Sequence, residues 1–197
     1  MQLRQNREAR PVARISRAPY IRAMPAPFAV IFDRDGVLNE DYGYAYEPEK
    51  LVWIPGAKGA IRRVNEAGGL VLIATNQSGI GRGYYSEEQM HGFHAEMRRQ
   101  LAAEGGRIDG IYFCPFHEEA ADERYRQADH PDRKPNPGMI LRALKDFGVD
   151  PKRALMIGDK PADVQAAQAA GVDGYLYEEG DLEDFLLDAA SRTGLPL

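Results

Sequence analysis

Short, uninterrupted apolar segments recur along the chain and alternate with segments of helical periodicity. The sequence predicts five strands, at 28–32, 70–74, 111–113, 155–157 and 174–177. Between them, apolar residues recur three and four positions apart, the spacing that one face of a helix buries. Strands that are apolar at every position are covered on both faces, and strand–helix alternation favours parallel pairing through right-handed crossovers. The pattern predicts an α/β fold: one three-layer domain with a Rossmann-like parallel sheet over residues 27–197.

The composition excludes several classes of protein. With 44% hydrophobic and 28% charged residues, the 197-residue chain is close to the globular average and unlike a disordered or fibrous one. Its single cysteine, Cys114, excludes an intrachain disulfide framework and is typical of a reducing cytosol. No segment approaches the roughly 20 apolar residues of a membrane helix. The net charge of −5 disfavours broad nucleic-acid binding. We therefore expect a cytoplasmic monomer without a membrane or nucleic-acid partner.

The N-terminal segment differs from the rest of the chain in charge. Residues 1–26 hold six arginines and one acidic residue, Glu8, whereas the remainder is acidic. The segment lacks the apolar run of about 7–15 residues that a secretory signal needs. We expect a partly mobile basic arm, and docking onto the acidic body or onto a partner stays open.

Polar residues follow three of the predicted strands at the point where each strand ends. These clusters are Asp33–Gly36, Thr75–Ser78 and Gly158–Lys160, and Lys134 lies between the last two along the chain. In an open parallel sheet, reactive groups gather beyond the carboxyl ends of the strands. Three such clusters and a lysine together indicate a functional site.

Four motifs resemble those of the haloacid-dehalogenase-like phosphatases. They are Phe32–Asn39, Thr75–Ile80, Arg133–Pro135 and Gly158–Lys160. Within that superfamily the chain is most similar to the D-glycero-D-manno-heptose 1,7-bisphosphate 7-phosphatases, whose nearest relatives are the histidinol-phosphate phosphatases. The resemblance implies a minimal cap and a Mg²⁺-dependent phosphatase of a small phosphorylated sugar. The heptose bisphosphate of lipopolysaccharide-core precursor synthesis is the first candidate, and histidinol phosphate or another small phosphomonoester is the alternative.

The two aspartates after the first strand suit phosphate monoester hydrolysis. This reaction is among the slowest without a catalyst, and an aspartate nucleophile divides it into phosphoryl transfer and acyl-phosphate hydrolysis. We predict that Asp33 is the nucleophile. Asp35 should protonate the leaving alkoxide and later take a proton from the attacking water. Thr75 and Lys134 should stabilise the phosphoryl oxygens.

An anionic nucleophile that approaches an anionic phosphate needs countercharge. Mg²⁺ suits a site made of oxygen ligands, and it usually keeps several waters. We expect the carboxylates of Asp33 and Asp159 as ligands, and the family pattern adds the main-chain carbonyl of Asp35. Asp163 lies one helical turn after Asp159. Its carboxylate either accepts a hydrogen bond from metal-bound water or only interacts favourably with the helix dipole in the first turn.

The family pattern also implies a set of substrate contacts. The expected residues are Asp41, Tyr42, Gly43, Tyr44, Asn76, Gln77, Ser78 and Arg133. The planar guanidinium of Arg133 suits a second phosphate or a polar group of the sugar. An ordinary tyrosine-rich surface turn at 41–44 and a surface ion pair at Arg133 are the alternatives.

Relatives in this subgroup often carry a zinc loop with the pattern Cys-x-His followed by Cys-x-Cys. Here Cys114 matches, but Phe116 stands at the histidine position, and His130 and Asp132 stand at the two later cysteine positions. With His117, which is one position off, the chain still offers four donors of types that zinc accepts. We favour loss of zinc because thiolates supply most of the affinity in such sites, with aromatic packing and ion pairs holding the loop instead.

Two histidines, His91 and His94, lie in the predicted helix that contains Met90 and Leu101. We expect both at the surface rather than as metal ligands.

A phosphoacceptor module that does not turn over is an alternative of a different class. Such modules carry their acceptor aspartate at the end of the third strand, where this chain has Cys114 and Pro115. Repeated turnover of an aryl phosphate with Mg²⁺ separates a phosphatase from such a module.

Overall fold

The computed structural model describes residues 27–197, so the predicted basic arm at 1–26 lies outside the described residues. Five parallel strands form one sheet in the order β3-β2-β1-β4-β5. The strands are β1 (Ala29–Phe32), β2 (Leu70–Asn76), β3 (Gly110–Cys114), β4 (Ala154–Gly158) and β5 (Asp173–Leu176). The predicted strands and the α/β class are confirmed.

Within residues 27–197, six α-helices connect and follow the strands. They are α1 (Ala57–Glu66), α2 (Ser78–Gly81), α3 (Glu87–Ala103), α4 (Gly138–Phe147), α5 (Pro161–Ala169) and α6 (Leu182–Thr193). Ser86 and Gln89 form a reciprocal capping box at the start of α3. The short helix α2 begins two residues after the end of β2. None of the helices in residues 27–197 has both the length and the apolar character needed to cross a bilayer.

Alternate residues of β1 face two separate cores, one on each side of the sheet. Val30 and Phe32 pack with residues of α1, α3 and α6, whereas Ala29 and Ile31 pack with residues of α4 and α5. All four side chains are completely buried. Burial of each larger apolar side chain contributes about 1.5–3 kcal/mol. The sheet is therefore the middle layer of three, as the uninterrupted apolar segments predict.

The register aligns the carboxyl ends of the three central strands. Phe32, the last residue of β1, lies opposite Ile73 of β2 and Ile157 of β4. Two of the connections that leave this edge are long, the one from β1 to α1 and the one from β3 to α4. In the described residues, each contains one short 3₁₀ helix, Pro48–Lys50 in the first and Glu123–Tyr125 in the second. This arrangement agrees with the predicted minimal cap and leaves the edge accessible from solvent.

Candidate active site

The chain turns sharply after β1, and this turn brings the backbone at Gly36 close to the Asp159 side chain. The Asp33 amide donates to the carbonyl of Ile157, which continues the pairing of β1 with β4 by one residue. Gly36 adopts a φ of +84°, and a Cβ at this position would lie 2.5 Å from Oδ2 of Asp159. Only glycine therefore lets the turn approach Asp159 this closely.

Lys134 is buried between two carboxylates. Its ammonium group lies 2.8 Å from Asp33 Oδ1 and 2.6 Å from Asp163 Oδ1. It also donates to the carbonyl of Ala74 at 2.7 Å. Burial lowers the pKa of Lys134, but the two carboxylates outweigh burial and hold the pKa above its usual value. The lysine is therefore cationic, and it delivers its charge beside the predicted nucleophile.

Asn76 holds the backbone of Lys134 in place. Its side chain donates to the Lys134 carbonyl at 3.0 Å and accepts from the Lys134 amide at 3.1 Å. The sequence analysis assigned Asn76 only to substrate contact. This reciprocal pair explains how a lysine in a long loop reaches the end of β1.

Three carboxylates have the chemistry and spacing of a cation site. One oxygen each from Asp33, Asp159 and Asp163 lies within 4.8 Å of the others. Apart from the Lys134 charge beside Asp33, the buried Oδ1 atoms of Asp33 and Asp159 find no hydrogen-bond donor among residues 27–197. Burial and the charge of Asp33 raise the pKa of Asp159 to about 6. An oxygen-rich, under-compensated cluster of this kind fits Mg²⁺.

Asp35 is held by donors on several sides. The Arg34 guanidinium contacts both carboxylate oxygens, with Nη2 2.7 Å from each. Asn39 Nδ2 donates to Oδ1 at 3.0 Å, and Gln77 Nε2 donates to Oδ2 at 2.9 Å. The sequence analysis did not predict the roles of Arg34 and Asn39, although both lie inside the Phe32–Asn39 motif.

Gln77 lies beneath the site and not in the cavity, which corrects its predicted contact with substrate. It is 1% exposed, and its amide nitrogen also donates to Thr75 Oγ1 at 2.8 Å. Tyr85 OH donates to Gln77 Oε1 at 2.6 Å. Gln77 therefore couples Thr75 to Asp35. Because it accepts from Gln77, the Thr75 hydroxyl keeps its own proton for another acceptor.

A cavity of about 270 Å³ opens above these groups. The predicted residues among those that line it are Asp33, Asp35, Asp41, Gly43, Tyr44, Thr75, Asn76, Ser78, Arg133 and Lys134. Tyr42 is not among the lining residues, and its side chain is exposed. Lys160, Asp163 and Tyr85 also contribute to the wall.

The loop that follows Asp35 bends back over the cavity. Asp41 accepts from the Gly43 amide at 2.9 Å, and its other oxygen lies 3.5 Å from Lys160 Nζ. Arg82 donates to Tyr44 OH at 3.3 Å, and the Tyr44 ring packs against Tyr84 with 4.6 Å between the ring centroids. These contacts place carboxylate, hydroxyl and aromatic groups at the rim, a combination suited to a polar sugar.

The four candidate zinc donors are not brought together in the described part of the chain. Among residues 27–197, the aspartate cluster is the only close group of three or more metal-binding side chains. His130 stacks on Phe116, with ring centroids 3.7 Å apart, and its Nδ1 accepts from the Asp132 amide. His117 contacts Arg82, and the Asp132 carboxylate accepts from Arg142. Ring stacking and contacts with arginines thus hold three of these side chains, and the fourth, Cys114, is buried.

The prediction for His91 and His94 was right for one and wrong for the other. His91 is exposed, but His94 is 4% exposed and contacts Arg34. His94 lies four residues after Met90 and three before Met97, on the buried face of α3. The helical spacing of those methionines was the signal that placed it inside.

Comparison with known proteins identifies the family. The Hydrolase_like family model, which describes HAD-hydrolase-like proteins, matches residues 132–194. A D-glycero-beta-D-manno-heptose-1,7-bisphosphate 7-phosphatase from Rhodopseudomonas palustris is 45% identical, and the match covers 80% of this chain and 87% of the relative. The chain belongs to the haloacid-dehalogenase-like heptose-bisphosphate phosphatase family.

Solved structures of this superfamily share the fold. A HAD-like phosphatase from Mesorhizobium loti superposes with a TM-score of 0.79 at 34% identity, over 86% of this chain and 88% of that chain. A D,D-heptose 1,7-bisphosphate phosphatase from B. bronchiseptica, complexed with magnesium and phosphate, superposes with a TM-score of 0.69 at 34% identity and the same two coverages, 86% and 88%. The fold of this chain, a parallel sheet between two layers of helices, is thus that of a haloacid-dehalogenase-like phosphatase.

Proposed function

We propose that this protein is a Mg²⁺-dependent phosphatase that removes the 7-phosphate of D-glycero-D-manno-heptose 1,7-bisphosphate. The observation that carries the proposal is the Asp33 carboxylate, which lines the cavity 2.8 Å from the Lys134 ammonium. A nucleophilic carboxylate beside a fixed cation suits an anionic phosphoryl group. The substrate is taken from the names of the relatives, which include heptose-1,7-bisphosphate 7-phosphatases at 45% identity.

In the first half of the reaction, Asp33 attacks phosphorus and the ester bond to the sugar breaks. Asp35 gives a proton to the leaving alkoxide, so that an alcohol departs. The product is an aspartyl phosphate on Asp33 and a dephosphorylated sugar hydroxyl. The Lys134 charge and the Thr75 hydroxyl stabilise the phosphoryl oxygens during the transfer.

In the second half, water attacks the aspartyl phosphate. Asp35, now ionised, takes a proton from this water, and inorganic phosphate leaves with Asp33 restored. The carboxylates of Asp33 and Asp159 and the main-chain carbonyl of Asp35 would hold Mg²⁺. When bound, the ion neutralises phosphate charge and helps to orient the phosphoryl group.

The sugar and its second phosphate bind at the rim of the cavity. Asp41 and Tyr44 contact sugar hydroxyls, and Ser78 donates a hydrogen bond there. Arg133 binds the second phosphate. It is oriented by the hydrogen bond from its Nη1 to the carbonyl of Phe116 at 3.0 Å, and it lines the cavity. The planar guanidinium can bind two phosphate oxygens together.

We infer that the enzyme acts as a cytoplasmic monomer in the synthesis of lipopolysaccharide-core precursors. The net charge of −5 and the single cysteine support an activity on a small metabolite in a reducing compartment. The contacts of Phe116, His117, His130 and Asp132 support a loop that has lost zinc.

Steady-state hydrolysis of a panel of phosphate esters tests the proposal. The panel contains heptose 1,7-bisphosphate, histidinol phosphate and an aryl phosphate, each with and without Mg²⁺. We expect the highest kcat/KM for the heptose bisphosphate and no turnover by Asp33→Asn with an intact fold. Asp188→Asn, a surface change on α6, is the matched control and should keep full activity.

Two outcomes contradict the proposal. A higher kcat/KM for histidinol phosphate would assign the enzyme to the alternative substrate. One labelled equivalent of protein without further turnover would indicate a phosphoacceptor module.

A further inference from the structure

His94 lies outside the catalytic cavity, on α3, and it contacts the residue that lies between the two predicted catalytic aspartates. Its Nε2 is 3.2 Å from Nη1 of Arg34. Both side chains are buried, with His94 4% exposed and Arg34 0% exposed. His94 is not among the residues that line the cavity, so it has no route to direct contact with substrate.

The chemistry of the pair determines which atom donates. A guanidinium group has N–H donors and no acceptor, so Nε2 of His94 must accept and the ring proton must be on Nδ1. Burial, aided by the charges of Arg34, His91 and Arg98, lowers the pKa of His94 to about 3. His94 is therefore a neutral acceptor near neutral pH.

Arg34 is fixed on three sides besides its contact with Asp35. Nη2 donates to the Ala45 carbonyl at 2.7 Å, Nη1 contacts His94, and the guanidinium lies 4.7 Å from the centre of the Phe93 ring. These contacts fix the guanidinium in place. Arg34 contacts both oxygens of Asp35, and together with Asn39 and Gln77 it sets the direction of the Asp35 carboxylate.

Resting on the function proposed above, we propose that His94 is a positioning residue for proton transfer, and that it acts through Arg34 to aim the Asp35 carboxylate. If the acceptor at Nε2 is removed, a buried N–H of Arg34 has no partner, and the guanidinium turns toward another one. Asp35 then no longer points at the leaving oxygen. Substrate contacts with the rest of the cavity wall are unaffected, because neither His94 nor Arg34 is part of that wall.

Three variants separate positioning from simple packing. His94→Phe keeps the ring and removes the acceptor, whereas His94→Gln keeps an acceptor. His91→Phe is the matched control, because His91 is an exposed histidine on the same helix. Circular dichroism and thermal unfolding establish that each variant is folded.

The readout is the rate of phosphoryl transfer in single turnover with two substrates. An alkyl ester such as a sugar phosphate needs a proton on its leaving group, but an activated aryl phosphate does not. For His94→Phe we expect the rate of phosphoryl transfer from the sugar phosphate to fall at least about tenfold. Loss of a general acid altogether would lower this rate by roughly 10²–10⁴-fold. KM should change by less than about threefold, and so should the aryl phosphate rate, since binding is not altered. His94→Gln should recover most of the lost rate, and His91→Phe should match the wild type.

Other outcomes overturn the proposal. Equal losses with both substrates would mean that His94 only supports the fold of the site. A His94→Gln variant as slow as His94→Phe, or a His94→Phe variant as fast as the wild type, would remove the hydrogen bond from the argument. Failure of the proposed function is distinguishable, because the wild-type protein would then prefer histidinol phosphate to the sugar phosphate or release no more than one equivalent of phenol from the aryl phosphate.

Discussion

The Lys134 ammonium lies 2.8 Å from Asp33 Oδ1, and the two side chains are only 2% and 8% exposed. The same ammonium group lies between Asp33 and Asp163, so one buried cation serves two carboxylates. Charges buried together in this way are costly to separate, because neither can be resolvated in place. The Lys134 charge that we propose acts on the phosphoryl group should therefore also contribute to the stability of the fold.

Replacement of this lysine should damage both activity and stability. Lys134→Met leaves the two aspartates without their cation, and we expect a loss of about 3–5 kcal/mol in the free energy of unfolding. Denaturant unfolding measures the loss, and turnover should fall to background. Lys160→Met is the matched control, because Lys160 has a 57% exposed side chain and should change stability by less than about 1 kcal/mol. Equal destabilisation by the two variants would contradict the buried-cation argument.

Gly36→Ala should weaken the binding of Mg²⁺. The added Cβ would lie 2.5 Å from Oδ2 of Asp159, and the φ of +84° adds backbone strain of about 1–2 kcal/mol. Gly43→Ala carries the strain alone, since its φ is +109° and nothing lies within 4 Å of the new atom. Calorimetric titration with Mg²⁺ should show at least about a tenfold weaker affinity for the first variant than for the second, a factor of ten being about 1.4 kcal/mol. Equal affinities would mean that Asp159 is not a ligand.

The hydroxyl of Tyr85 should matter although it transfers no proton. Tyr85→Phe leaves the buried Gln77 Oε1 without its donor, which costs about 1–3 kcal/mol of stability. Because Gln77 also donates to Thr75 and Asp35, kcat should fall along with stability. Tyr84→Phe, at a 56% exposed position, is the control for both measurements. An unchanged kcat in Tyr85→Phe would show that Gln77 does not orient the catalytic groups.

Arg133 should distinguish a bisphosphate from a monophosphate. Arg133→Ala removes a cation from the cavity wall, so KM for the heptose bisphosphate should rise by about tenfold or more, the loss of a charge-assisted contact worth about 1.5–3 kcal/mol. KM for a heptose monophosphate should change much less. Arg142→Ala removes an arginine that pairs with Asp132 away from the cavity, and it serves as the control. A parallel rise of KM for both substrates would exclude binding of the second phosphate by Arg133.

His94 should make folding stability depend on pH. Burial lowers its pKa from 6.5 to about 3, so between these values the unfolded chain binds a proton that the folded chain does not. The stability contributed by neutral His94 is therefore present above pH 6.5 and is lost as the pH falls toward 3. Wild-type unfolding free energy should fall by up to about 1.4 kcal/mol more per pH unit in this range than that of His94→Phe. Parallel pH profiles for the two proteins would mean that His94 is protonated in the folded state.

Sequence reasoning reached the residues whose signal is local. Asp33, Thr75 and Asp159 each follow an uninterrupted apolar segment. Because the carboxyl ends of parallel strands meet at one edge of a sheet, the sequence predicts that these residues lie close together. Lys134 came from its motif. For its partner Asp163, the sequence analysis offered a hydrogen bond to metal-bound water or a favourable position in the first turn of a helix. A sequence pattern does not reveal that two carboxylates share one buried cation.

The residues that the sequence analysis missed act across elements. His94 belongs to α3 and Arg34 to the turn after β1, and Gln77 was assigned to substrate although Tyr85 and Asp35 hold it below the cavity. The sequence of a motif does not show which way a charged side chain within it points, or which residues it contacts.

The amino-acid sequence alone determined the order of strands and helices and the chemical types at each strand end, because hydrophobic periodicity and turn chemistry are local properties. Only the tertiary structure decided which donor meets which acceptor. A hydrogen bond depends on distance and direction to within a fraction of an ångström, and packing of the two cores sets that geometry for Arg34, Asp35 and His94.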